Sequence, residues 1–367
     1  MIFYGKQSID QSDINEVVNT LQSDFLTQGP KNIEFEEKLT EYCNVKYTKA
    51  VCNGTAALHL AYLAVGLKDG DIVWTSPNTF VATANAALYC GAHVDFVDIN
   101  PKTYNMSVKS LEKKLIQAKK DKKLPKLVVP VHFAGQSCEM EDIWKLAKKY
   151  NFKVIEDASH ALGGEYKGKK VGCCEFSDMT VFSFHPVKMI TTGEGGAITT
   201  NNKKLDEKIN LLRSHGITKD KKKFQNQDSG EWFYEQQALG FNYRLSDIHA
   251  ALGVSQLKRL DSFINKRREI ARVYLDNLKG FVLPYQHPDT KSSWHLFVIK
   301  TSKRDLIYKQ LKAHGILPQV HYIPVNMQPF YNKDPLENSG EFYRECLSLP
   351  IYVDLNSEQQ KNILKIL

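Results

Sequence analysis

The segment Val181-Phe182-Ser183-Phe184-His185-Pro186-Val187-Lys188-Met189-Ile190-Thr191-Thr192-Gly193-Glu194-Gly195-Gly196-Ala197-Ile198-Thr199-Thr200 reads as an apolar strand, a loop with one lysine, a glycine cluster and a second strand. Too little sequence separates the two apolar runs for a crossover helix. A hairpin-like or irregular connection, and hence one antiparallel strand, is expected there. Lys188 sits among Val187, Met189 and Ile190. Poor solvation favours the neutral amine, the form that attacks a carbonyl. A lone lysine can equally snorkel over a surface loop, so its companions elsewhere decide.

Outward from this segment, short apolar runs alternate with helix-length sequence. The runs are Ala50-Val51-Cys52, Ile72-Val73-Trp74-Thr75, Val94-Asp95-Phe96-Val97, Lys126 to Val131, Lys153-Val154-Ile155-Glu156, and the two runs that flank Lys188. Helical sequence lies between most of them, at Thr55 to Leu67, Val81 to Cys90 and Met140 to Tyr150. This is a βα series, which predicts an α/β fold with a mostly parallel seven-stranded sheet flanked by helices. In such sheets ligands gather at the carboxyl ends of the strands.

Before the series, Ser12-Asp13 is expected to cap a first helix. Gly29-Pro30 is expected to end regular structure ahead of a second helix at about 31–43. After residue 245 the character changes: Leu245 to Leu257 opens an amphipathic helix expected to run past Arg272. Beyond it, Trp294 to Ile299 as a strand, Asp305 to His314 as a helix and Gln319 to Tyr322 as a strand fit a smaller α+β domain. The division expected is a cofactor-binding domain with an N-terminal helical arm over 1–245, and a smaller C-terminal domain over 246–367.

Composition is that of an ordinary globular protein, 42% hydrophobic and 25% charged. The net charge of +8 sits largely in clusters such as Lys119 to Lys123 and Lys219 to Lys223, which read as solvated loops. No basic stripe interleaved with aromatics points to nucleic acid. Seven cysteines without a CxxC spacing imply neither a disulfide framework nor a zinc site. No apolar run approaches a membrane span, and no signal sequence is evident at Met1, so a cytoplasmic setting is expected.

Three strand ends carry candidate chemistry. Cys52-Asn53-Gly54-Thr55 is a strand, a turn and a helix start, whose N–H groups and Thr55 hydroxyl suit a phosphate; Asn-Gly-Thr is also an ordinary capped turn. Glu156-Asp157 puts an acid at the end of the fifth run, and Ser183 a hydroxyl at the end of the sixth. Phe80, after the second run, offers a flat aromatic face. A phosphate cradle, a strand-end carboxylate and a lysine are together the parts a pyridoxal phosphate enzyme needs.

The ordered motifs Asn53-Gly54-Thr55, Pro77-Asn78-Thr79-Phe80, Glu156-Asp157-Ala158-Ser159-His160-Ala161, Ser183 to Lys188, Gly193-Glu194-Gly195-Gly196-Ala197 and Gly240 to Leu245 cover nearly the whole chain. They resemble the fold-type-I nucleotide-sugar aminotransferases of the DegT/StrS group. Thr83-Ala84-Asn85, Arg213-Ser214-His215-Gly216, the Trp232 to Gln237 segment and Gln319 to Tyr322 most resemble one subgroup. Its members make UDP-4-amino-4,6-dideoxy-N-acetyl-β-L-altrosamine from the 4-keto sugar with glutamate, in pseudaminic acid synthesis.

The resemblance implies pyridoxal 5'-phosphate as cofactor, Lys188 as its Schiff-base lysine and proton carrier, and Asp157 as partner of the pyridinium nitrogen. It further implies Phe80 stacked on the ring and His160 near the phenolic oxygen. Gly54, Thr55 and Ser183 would hold the phosphate, joined by Asn242 from a neighbouring subunit, so a homodimer with shared active sites is implied. Ser159 departs from the alanine of many relatives. Tyr4, Lys6, Arg213, Trp232, Tyr234 and Tyr322 are candidates for nucleotide or sugar contact, each also readable as packing or surface.

Three rivals are open. Related sugar dehydratases carry histidine at the lysine position, and Lys188 argues against them. The same chemistry on another nucleotide sugar, either a D-configured bacillosamine precursor or a 3-keto dTDP-sugar, would leave the cofactor motifs unchanged. A non-enzymatic sensor that binds pyridoxal phosphate would carry an appended DNA-binding segment, and none is seen.

Overall fold

The structure is a computed structural model that describes residues 1–226 and 230–367. Seven strands, β1 (Tyr47–Val51), β2 (Ile72–Thr75), β3 (His93–Phe96), β4 (Leu127–Val129), β5 (Lys153–Asp157), β6 (Met179–Ser183) and β7 (Gly196–Thr200), form one sheet in the order β1-β7-β6-β5-β4-β2-β3. Strands β6, β5, β4, β2 and β3 are parallel to their neighbours in that run. β7 is antiparallel to both of its neighbours, with Gly196 opposite Val51 on one side and Ser183 on the other. All seven runs and the antiparallel partner of the lysine segment are therefore as the sequence indicates.

The strands lack a polar face because helices cover both sides. Val154 and Val128 pack with Leu111 and Ile143 of helices α5 (Val108–Lys120) and α6 (Met140–Tyr150). Ile155 and Val181 pack on the other face, with Ala57 and Leu60 of α3 (Gly54–Ala64). Strand alternation therefore puts Asp157, two residues beyond Ile155, on the α3 face.

Three boundaries differ from expectation. Helix α1 (Gln11–Leu21) is capped by Asp10, in a capping box with Asp13. Gly29-Pro30 does not end structure: Gly29 is the cap and Pro30 the first residue of α2 (Pro30–Cys43), because proline needs no N–H partner in a first turn. Beyond α7 (Lys203–Leu212), the long helix after residue 245 is broken at Arg259 into α8 (Asp247–Lys258) and α9 (Leu260–Asn277). The Arg259 guanidinium pairs with Asp10 and Asp13, fixing the break against the start of α1. Gly253 lets α8 approach α2, since a Cβ there would lie 2.7 Å from the Phe35 ring.

The C-terminal residues build a separate core around antiparallel β8 (Phe297–Lys300) and β9 (Cys346–Leu349), in which Ile270 and Tyr274 of α9 meet Phe297 and Leu347. The chain's first residues join this part: Ile2–Phe3 pairs in parallel with Ile316–Leu317. Gln319 to Tyr322 is not a strand. Gln319 makes one bridge to Ser348, after which the chain turns Tyr322 toward His160.

Candidate active site

A cavity of about 930 Å³ opens at the carboxyl ends of the central strands. It is lined by Gly54, Thr55, Phe80, Asp157, His160, Ser183 and Lys188, together with Tyr4 and Tyr322. Local rules bring them there. The loop that carries Lys188 is closed at its base by Phe184 N–H to Gly195 O (2.8 Å) and Thr192 N–H to Phe184 O (3.0 Å), while Phe184, Met189 and Ile190 anchor it in the core. Lys188 is thus held on a rigid base. Burial lowers its pKa to about 8 against the opposing pull of Asp157. Among the described residues its Nζ has no hydrogen bond or ion pair.

Asn53 caps α3 through the Ala56 N–H (2.8 Å). The N–H groups of Gly54 and Thr55 have no acceptor among the described residues. A Cβ at Gly54 would lie 2.9 Å from Cβ and 3.2 Å from Oγ of Ser183, so only glycine keeps the helix start this close to the end of β6. Free N–H groups beside hydroxyls at a helix start suit a phosphate.

Asp157 is 4% exposed. Its Oδ1 accepts from Ser159 N–H (3.1 Å) and Ser159 Oγ–H (2.6 Å), and its Oδ2 from Thr83 Oγ–H (2.7 Å). Thr83 in turn contacts Thr79 Oγ1 at 2.8 Å. The sequence reading missed Thr83 and Ser159 as the groups that orient the carboxylate. Ser159 follows Asp157 by two residues, the spacing of an Asx turn, a signal that could have found it; Thr83 in α4 (Val81–Tyr89) meets Asp157 only through the fold. Phe80 caps α4 and is 58% exposed, its ring 6.5 Å from that of Tyr322.

His160 is buried, and burial, then Lys188 and His321, push its pKa well below the ordinary value, so it is neutral. Its Nδ1 accepts from Ala134 N–H (3.4 Å) and its Nε2 lies 3.0 Å from the Tyr322 hydroxyl. The ring packs 4.3 Å from that of His295, and Ser293 Oγ–H donates to the His160 carbonyl (3.0 Å). No sequence spacing signals the contacts with Tyr322, His295 and Ser293, each more than a hundred residues away in the chain.

The structure leaves five candidates outside this cavity, among them Tyr234, an exposed side chain. Lys6 lines only a small neighbouring hollow that also touches Lys188. Arg213 pairs with Glu36 and donates to the carbonyl of Ala50 (2.7 Å), so in this chain it ties α2 to the edge strand β1. Trp232 is 77% exposed. Asn242 is exposed beside Ser214, on a segment that runs outside β1, where Cys52 N–H donates to Tyr243 O (2.9 Å).

Pyridoxal phosphate carries a phosphate, a basic ring nitrogen and an aldehyde, matched in kind by the α3 start with Ser183, by Asp157 and by Lys188. The protein is of the pyridoxal-phosphate-dependent class. Within it, the chain belongs to the DegT/DnrJ/EryC1/StrS aminotransferase family, whose sequence model matches residues 7–367.

Among similar proteins is a UDP-4-amino-4,6-dideoxy-N-acetyl-beta-L-altrosamine transaminase of Campylobacter jejuni (strain 81-176), 44% identical over 98% of this chain and 95% of its own length. Helicobacter pylori PseC, an aminotransferase of pseudaminic acid biosynthesis, superimposes with a TM-score of 0.91 at 36% identity, covering 100% of this chain and 97% of that one. A Streptococcus pneumoniae protein solved in its PLP form gives a TM-score of 0.87 at 27% identity, over 99% and 96% of the two chains. The fold is that of these aminotransferases, a mixed seven-stranded sheet flanked by helices.

Proposed function

We propose that this aminotransferase moves an amino group from L-glutamate to C4 of a UDP-4-keto-6-deoxy-N-acetylhexosamine, in the pseudaminic acid branch of surface glycan synthesis. The cofactor-binding unit would span 1–245 and the smaller unit 246–367. The cytoplasm, where nucleotide sugars are made, would be its site of action, and the working form a homodimer. The observation that carries the reaction class is the meeting of Lys188, Asp157, Ser183 and the free N–H groups of α3 in one cavity. Kinship with the Campylobacter and Helicobacter proteins supports the choice of sugar.

When bound, pyridoxal phosphate supplies a carbonyl that takes up the amine and a pyridinium ring that delocalises the electron pair released at the substrate carbon. Everything else is work for the chain. Lys188, its pKa near 8, would hold the cofactor as a neutral amine and then, once free, carry the proton on and off the substrate carbon. Asp157 would hold the proton on the ring nitrogen: three donors fix its oxygens, and Oδ2 keeps a lone pair to accept one more. Gly54, Thr55 and Ser183 would bind the phosphate, with the partner subunit's Asn242. Phe80 would cover the ring and His160 would lie beside the phenolic oxygen. Tyr4 and Tyr322, on the cavity wall, would contact the sugar.

Purified protein given glutamate and a panel of UDP- and dTDP-keto sugars tests the reading, with the aminated product identified by NMR. Amination at C4 of the UDP-4-keto-6-deoxy sugar is expected. A product aminated only at C3, or only from a dTDP-sugar, would overturn the substrate.

A further inference from the structure

Tyr322 ends a hydrogen-bonded chain whose direction is fixed at its other end. Ala134 N–H is a donor and nothing else, so the His160 Nδ1 that lies 3.4 Å from it must be the acceptor. In a neutral ring the proton then sits on Nε2, which must donate to the Tyr322 oxygen 3.0 Å away. The Tyr322 hydrogen is left without an acceptor among the described residues. A part-buried hydroxyl with an unmet donor calls for a partner, and this one lines the large cavity together with Lys188 and Asp157. Burial pushes the Tyr322 pKa up, so the group remains a donor.

The arrangement is braced from the C-terminal part of the chain. The His295 ring packs on His160 and Ser293 holds the His160 carbonyl. Arg267, 1% exposed, donates to the carbonyls of Trp294, His295 and Ile351 (3.4, 3.3 and 2.9 Å). These are positioning contacts that act through His160.

We propose that Tyr322 is a catalytic hydrogen-bond donor to the oxygen on the reacting carbon of whichever carbonyl compound occupies the cavity. This rests on the aminotransferase reading but not on the identity of the sugar. Exchange of a carbonyl oxygen for nitrogen forms one carbon–nitrogen bond, breaks the carbon–oxygen bond and releases the oxygen as water with both amine hydrogens. The oxygen gains negative charge as nitrogen adds and must be protonated to leave. A positioned phenol stabilises that charge and passes its proton to the oxygen, recovering one from the amine nitrogen by way of solvent. Both halves of the cycle contain this exchange, one in each direction, so the hydroxyl serves both substrates at one position.

The test is Tyr322→Phe, followed in each half-reaction separately by the visible absorption of the holoenzyme: glutamate to 2-oxoglutarate in one, keto sugar to amino sugar in the other. Both rates are expected to fall by a similar factor, about 10²-fold, the usual loss for one such donor, with the melting temperature unchanged. Rates within twofold of the parent in both halves would overturn the proposal. So would a loss confined to one half, which would make Tyr322 a binding group for one substrate. If the parent turned over glutamate but none of the sugars offered, the substrate reading would fail while the glutamate half still tested Tyr322. Nitrogen-15 spectra of histidine-labelled cofactor-free protein give a readout independent of turnover: a proton on Nε2 of His160 is expected, and one on Nδ1 would overturn the proposal.

Discussion

Two regions supply candidate site residues, and they behave differently in the folded chain. The strand-end loops after β1, β2, β5 and β6 bring Gly54, Thr55, Phe80, Asp157, Ser183 and Lys188 to one cavity. Arg213 and residues 242–244 lie along the outer edge of β1, with Arg213 bound to Glu36 and Asn242 exposed outside its own chain's cavity, while Trp232 stands in solvent. A parallel sheet delivers its strand ends to one edge regardless of how far apart they are in sequence. A peripheral segment has no such constraint. Arg213, in such a segment, serves packing in its own chain.

The largest test of this contrast is Lys188→Ala, which should abolish both half-reactions, a loss of about 10⁴-fold or more, measured by cofactor absorption and product formation. The neutral amine is the reactive form, and its fraction grows as pH rises through the pKa near 8. Capture of pyridoxal phosphate by the intact protein should therefore speed up from pH 6.5 and level off above about 8.5. Capture that kept accelerating to the ordinary lysine value would show that burial does not lower this pKa.

Next in size, Asp157→Ala should cost about 10²- to 10³-fold in turnover. It removes the carboxylate while leaving Thr83 and Ser159 in place, so the melting temperature should move little compared with the rate.

Asn242→Ala sharpens the comparison directly. If the residue serves a neighbouring subunit, cofactor affinity should fall about tenfold, the value of one hydrogen bond to a charged group. Mixed dimers of Asn242→Ala and Lys188→Ala chains should then recover activity, because one of the two sites would hold both intact residues. No recovery on mixing would place Asn242 in its own chain's chemistry.

The smallest effect on activity is expected for Arg213→Ala. Loss of its bonds to Glu36 and Ala50 O should lower stability by about 1.5 kcal/mol in denaturant unfolding, the value of a hydrogen bond to a charged group, because Glu36 keeps its pair with Lys49 and the Ala50 N–H. Turnover per folded molecule should stay within a few fold. A selective rise in KM for the nucleotide sugar would instead put Arg213 at a substrate.

Much of the site was legible because it is built from strand ends. The apolar runs mark the strands, alternation fixes which face Asp157 takes, and the position of each motif just after a run fixes the edge it occupies. The breaks were less legible. Gly29-Pro30 reads as a stop and is a helix start, since the missing N–H and ring clash that break a helix interior cost nothing in its first turn. Leu245 to Arg272 reads as one helix, and the structure breaks it at Arg259, whose guanidinium pairs with Asp10 and Asp13 at the start of α1.

What the sequence determined by itself is the order of chemistry along one sheet, including Lys188 in a loop between antiparallel strands, because hydrogen-bonded periodicity is local and written residue by residue. What only the tertiary structure decided is which hydroxyls hold Asp157, which tautomer His160 takes and where Tyr322 points. Those depend on contacts between residues up to 162 positions apart, and such contacts follow from how helices and loops pack, a property no local pattern carries.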